Sequence, residues 1–135
     1  MFSQLGLVDL ISAVQKTVQE KTGLRCYDAV PNDAPSPFYF AEAVSKRPEK
    51  NKLMFKDVFT VFIHAIATPG ASSVEIYDLI QKLEEALTTE ISLPRGFELL
   101  LQSNAGLQNI QTDETNEKHA IVAYEFTVCY GYKIK

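Results

Sequence analysis

The stretch KHAIVAYEFTVCYGYKI, Lys118 to Ile134, decides the fold class of this chain. Ala120, Val122, Tyr124, Phe126, Val128, Tyr130 and Tyr132 fall at every second position, so an extended backbone places them on one face. Ile121, Ala123, Glu125, Thr127, Cys129 and Lys133 line the other face. β-Branched and aromatic side chains suit such a pleated, half-buried surface. The pattern predicts one strand of about 14 residues, where about 5 or 6 is usual. A strand of that length needs partners. TDETNEK, Thr112 to Lys118, predicts the turn of a hairpin that joins it to LQNIQT, Leu107 to Thr112. FELLLQS, Phe97 to Ser103, precedes this hairpin, and SNAGL, Ser103 to Leu107, reads as a glycine-containing turn between them.

Further upstream, DVFTVFIHAIA, Asp57 to Ala67, is apolar on both faces, as a central strand would be. FYFAEAVS, Phe38 to Ser45, predicts a strand with imperfect alternation, and LRCYDAV, Leu24 to Val30, a short one. PNDAPSP between them holds three prolines in seven residues and predicts a loop. Two segments switch to helical spacing. Leu7, Leu10, Ile11, Val14 and Val18 form a stripe over about Leu5 to Thr22, with Ser3 as the candidate N-cap and Gly23 as the stop. After the turn TPGASSVE, Ile76, Leu79, Ile80, Leu83 and Leu87 predict a helix over about Ser73 to Thr88, opened by a capping box of Ser72 and Glu75.

The order of elements predicts an α+β fold: a mostly antiparallel sheet of four to five strands, with two amphipathic helices packed on one face. The chain of 135 residues reads as one domain, 1–135. The strands carry apolar residues on both sides, so a second layer or a partner is expected to cover the face away from the helices.

Composition narrows the function classes. Hydrophobic residues make up 46% and charged residues 22%, the balance of a soluble globular domain. An apolar run of about 18 residues is absent, and the opening MFSQLGLVDLISAVQK lacks a basic leader and carries Asp9, so neither a membrane span nor a signal peptide is expected. Cys26 and Cys129 are expected to be reduced, buried thiols. A net charge of −4 argues against general nucleic-acid binding. His64 and His119 stand singly in strand-like surroundings and are expected to be structural histidines with satisfied hydrogen bonds. With two cysteines and two histidines scattered, no metal-ligand spacing appears. Glu84 and Glu85 are adjacent on a helix, where their side chains diverge by about 100°. GxSxG, CxxC, HExxH and a phosphate-cradling glycine pattern are all missing, so neither catalysis nor a cofactor is expected.

One segment departs from the acidic average. KRPEKNKLMFK, Lys46 to Lys56, holds five basic residues and one acidic, which leaves 8 basic against 16 acidic in the rest of the chain. It links two predicted strands and reads as the tip of a long hairpin, with Pro48 discouraging a continued ladder and Asn51 favouring the turn. As a solvated hairpin it would keep a sheet edge from aggregating. As an arm it would dock on an acidic partner, with Lys46, Arg47, Lys50, Lys52 and Lys56 supplying charge and Met54 and Phe55 as apolar anchors. A nucleic-acid contact is the third reading, weakened by the acidic remainder. The other hairpin offers a secondary contact surface in Asp113, Glu114 and Glu117, or else an ordinary solvated turn.

The chain resembles the tail-completion proteins of long-tailed phages, the tail-terminator or tail-to-head joining family. The resemblance rests on LVDLISAVQKTVQEKTGLRCYDAVPNDAPSPFYF, on FTVFIHAIATPGASSVEIYDLIQKLEEAL and on HAIVAYEFTVCYGYKIK. It covers nearly the whole chain, through the order of elements and not through a catalytic signature. It implies a structural protein, not an enzyme, that docks on the end of the tail tube, forms a ring there, typically hexameric, and stops elongation. The implied partners are the tail tube protein and the head connector or stopper, with DNA passing through the lumen without specific binding and no membrane involved. The implied place is the head-proximal end of the tail in the virion, after assembly in the host cytoplasm. A body rich in acidic groups suits a lumen that DNA must not stick to. A ring has heterologous interfaces, so opposite sides of each subunit must fit. The alternatives are a small monomeric adaptor or regulatory binding domain, and a head-completion or connector protein of the same phage class.

Overall fold

The computed structural model describes residues 3–49 and 51–133. Helix α1, Leu7–Thr22, buries Leu10, Ile11, Ala13, Val14, Thr17 and Val18, the expected stripe. Gly23 ends it in the left-handed region at φ 77°, and its N–H donates to the Gln19 carbonyl at 3.0 Å. The start lies two residues later than expected. Leu5 reaches the core from extended chain, Gly6 holds the N-cap position, and Ser3 does not cap the helix. Strand β1, Cys26–Tyr27, is only two residues long, and the proline loop follows it. Strand β2 runs over Phe38–Glu49, β3 over Met54–Ile66, helix α2 over Ser73–Ala86, β4 over Glu98–Thr112 and β5 over Lys118–Tyr132.

The five strands form one sheet in the order β1-β2-β3-β5-β4. The β1–β2 pair is parallel; every other pair is antiparallel. This is the predicted α+β architecture, with β3 and β5 central. The chain leaves β3, crosses through α2, forms the edge strand β4 and then inserts β5 between them.

Both helices lie on one face. Leu10, Val14 and Val18 of α1 and Ile76, Leu79 and Leu83 of α2 join Tyr39, Phe59, Val61, Ile63, Val122 and Phe126 of the sheet in a single core. Packing of this kind, at roughly 25 cal/mol per Å² of apolar surface removed from water, is the main source of stability. Tyr39 is fully buried and satisfies its hydroxyl by donating to the Leu79 carbonyl at 2.7 Å, which pins α2 to the sheet.

Four expectations need correction. The capping box does not close: Glu75 Oε1 accepts from the Thr68 backbone N–H at 2.6 Å and so ties the preceding turn to the helix instead. SNAGL is no turn but lies inside β4, which runs unbroken through three register shifts. Gly106 sits at one of these, where φ 109° is a conformation that side-chained residues avoid. The basic stretch is largely strand, since β2 continues through Lys46, Arg47 and Pro48, which pair with Phe59, Val58 and Asp57. Pro48 is tolerated because β1 stops at the Tyr27–Phe40 pair and leaves β2 an edge strand beyond it. Finally, the alternation of β5 breaks near its end. A shift in register against Phe55 and Lys56 makes Tyr130 an extra residue, and Tyr132 then bonds Glu98 across the sheet from the expected face.

The face away from the helices is less bare than expected. Val58, Ile66, Ala123 and Cys129 there are all under 6% exposed. Exposed large apolar residues gather instead at the sheet's two sides. Leu100, Leu101, Leu107 and Ile110 lie on β4, while on the other side Leu7 and Val8 of α1 line a cleft with Phe40 to Ala43 of β2.

Candidate interaction surface

The β2–β3 hairpin carries the basic segment as an arm. Glu42 to Glu49 are exposed along it. At its tip, Asn51 Oδ1 accepts from the backbone N–H groups of Leu53, at 2.7 Å, and Met54, at 3.2 Å, so Asn51 does form the turn. The end of β5 braces this turn. The Lys133 N–H donates to the Leu53 carbonyl at 2.8 Å, and its Nζ donates to the Asn51 carbonyl at 2.6 Å while lying 5.0 Å from the Phe55 ring centroid.

The proposed contact residues divide by environment. Arg47 and Lys52 are exposed. Lys46 bends toward the helix side, where its Nζ lies 4.0 Å from Asp57 Oδ2, 3.3 Å from Gln4 Oε1 and 5.6 Å from the centre of the Phe59 ring. Lys56 pairs with Glu49 at 3.7 Å. Met54 and Phe55 are half-buried, and Phe55 packs on Tyr130 with 5.8 Å between ring centroids. Lys50 lies outside the described residues. The exposed apolar group at the tip is Leu53, 70% exposed, a better-placed anchor than the two expected. Lys133 was missed because it comes from the far end of the sequence and joins the arm only through the β3–β5 pairing.

Beneath the arm, Asp57 is buried and its Oδ2 has no hydrogen-bond partner. Burial raises its carboxyl above the usual range, and Lys46 only partly offsets this.

The acidic turn, Asp113 to Glu117, stands at the opposite end of the sheet, so the two candidate surfaces do not meet. The 13-residue β3 separates them, a span of about 40 Å at about 3.3 Å per residue. The turn is locally closed. The Asp113 N–H donates to the Glu117 carbonyl at 2.8 Å, Asn116 takes φ 64°, and the Gly70 N–H donates to the Asn116 carbonyl at 2.9 Å. Glu114 is exposed, whereas Asp113 and Glu117 are half-buried.

Sequence reasoning treated the two histidines as separate. The pairing of β3 with β5 brings them together on the outer face. His64 Nδ1 lies 2.7 Å from His119 Nε2. The outer nitrogens of both rings meet carboxylates: His64 Nε2 is 2.9 Å from Glu42 Oε1, and His119 Nδ1 is 3.2 Å from Asp113 Oδ2. Phe40 stacks on the His64 ring at 4.0 Å. Burial lowers the His64 pKa below 6.5 and His119 adds to this, while Glu42 opposes it. Every ring nitrogen of the pair thus lies within hydrogen-bond distance of a partner. Among the described residues, no three His, Cys, Asp or Glu side chains converge to hold a metal. Cys26 and Cys129 are free, buried thiols, and burial pushes Cys26 up to about 12.

The class defined by this fold is a small α+β protein with two helices over a mixed sheet and a basic hairpin at one end of it. The family model for phage tail terminators, described as "Putative tail termination protein", matches residues 1–135. The chain belongs to this family, one of phage tail structural proteins. Among solved structures, it is similar to a chain of the "Virion of native gene transfer agent (GTA) particle", with TM-score 0.70 and 18% identity, covering 94% of this chain and 99% of that one. At this identity the likeness establishes the fold. No curated protein matches the chain.

Proposed function

We propose that this protein caps the end of the phage tail tube and joins the tail to the DNA-filled head, acting as one domain within a ring at the head-proximal end. The observation that carries the joining role is the arm, which exposes Arg47, Lys52 and Leu53 on an otherwise acidic protein. A cationic arm with an apolar tip suits docking on an acidic surface of the tube protein or of the head connector. The ring reading is supported by the exposed apolar residues at opposite sides of the sheet, since head-to-tail closure needs two different, matching sides. The related particle is itself a virion, which agrees with a place in the finished particle. Assembly takes place in the host cytoplasm, and DNA crosses the lumen past largely acidic surfaces without specific binding.

The test is electron microscopy of particles assembled without the protein and then with it restored. Filled heads and separate tails in its absence, joined on addition, support the reading. The double variant R47E/K52E should fold normally and fail to join. Joining at the wild-type level by that variant would remove the arm from the mechanism, and normal joining without the protein would remove the whole proposal.

A further inference from the structure

The chain Glu42–His64–His119–Asp113 has a proton balance that the individual contacts do not reveal. Three hydrogen bonds run in series, of 2.9, 2.7 and 3.2 Å. Each needs one proton. Ionised carboxylates only accept, so His64 Nε2 and His119 Nδ1 must both carry hydrogens. The bond between the rings needs a third. Two neutral imidazoles hold two protons, which would leave one contact with two acceptors facing each other. Two imidazoliums hold four, which would press two N–H donors together across 2.7 Å. Only three protons on two rings, hence one positive charge, satisfy every contact.

We propose that these four residues are a shared-proton clasp that fastens the acidic β4–β5 turn to the outer face of the sheet only while the histidine pair carries a single charge. The clasp takes one residue each from β2, β3 and β5 and one from the turn. Its charged neighbours are Glu42 from β2 and Asp113 from the turn. β4 contributes the neutral Gln111, whose Nε2 donates to Asp113 Oδ1 at 3.0 Å, and Phe40 covers the His64 ring. Burial makes the arrangement sensitive, because the His64 side chain is only 9% exposed and water replaces a lost partner poorly there. The turn bears Glu114 and Glu117, so its posture, and any contact made through it, follows the charge on the pair.

The test is a pH titration of the full chain by NMR of ¹⁵N-labelled histidine rings and turn amides. The wild type should titrate as a coupled pair, in two steps separated by at least about one pH unit. The amides of residues 113–118 should shift at the same midpoints. In H119Q, His64 should titrate in one step and the turn should cease to follow it. If H119Q does not fold, D113N serves in its place, and there the turn should lose its pH response while the two rings still influence each other. Two independent single-step curves in the wild type, or turn amides indifferent to both rings, would overturn the proposal. The measurement uses the protein alone, so its outcome is independent of the tail-joining reading.

Discussion

Asp57 is a buried carboxylate with one unpartnered oxygen, close to a lysine but not well paired. Its raised pKa means that the folded protein holds a proton there more tightly than the unfolded chain does. The associated stability is present below the ordinary value of 3.8 and is lost as pH rises through the folded value. At neutral pH the buried charge is a cost. Asp57→Asn should therefore stabilise the protein by about 1 kcal/mol at pH 7 and flatten stability against pH in the acid range, as read by urea unfolding. Two tyrosines give a matched contrast. Tyr39→Phe removes the hydroxyl that donates to the Leu79 carbonyl and should cost about 1 kcal/mol. Tyr124→Phe removes a buried hydroxyl with no partner and should be neutral or slightly stabilising, compared by thermal unfolding.

At the scale of elements, two glycines do different work. Gly23 stops α1 and Gly106 sits where β4 shifts register, both at positive φ. A Cβ at Gly23 would meet nothing within 4 Å, and one at Gly106 only Gln108 Nε2 at 3.9 Å, so the cost of Gly23→Ala or Gly106→Ala is conformational and not steric. Each should lose about 1–2 kcal/mol in chemical denaturation. Gly23 was readable because a glycine after a helical stripe has one common use. Gly106 was misread because a glycine among Ser, Asn and Ala signals a turn and a bulge alike, and only pairing with β5 chooses between them. The capping box failed for a similar reason. Glu75 had a second donor within reach, the Thr68 N–H, which the sequence does not place nearby.

At the scale of the whole molecule, charge and apolar surface are segregated. The arm's cations lie at one end of the sheet and the acidic turn at the other, with exposed leucines along the β4 side. If Arg47 and Lys52 steer docking, joining should slow as salt rises from about 0.05 to 0.3 M, because screening lengths fall below about 10 Å near 0.1 M. The neutral variant R47Q/K52Q should join more slowly at low salt and lose this dependence, measured by counting joined particles over time. The ring reading makes its own prediction here: Leu101→Ser with Leu107→Ser should leave the fold intact and weaken self-association on tubes, observed by cross-linking.

Taken alone, the sequence determined the helices, the central strands, the two hairpins and the separation of a basic segment from an acidic body. These depend on local periodicity and composition, which neighbours in the chain define. The tertiary structure decided which cations stay exposed, that Lys133 braces the arm, that Tyr132 changes face, and that two histidines 55 residues apart share a chain of hydrogen bonds. Each of these depends on strand register, and register is set by the packing of the whole sheet against its helices.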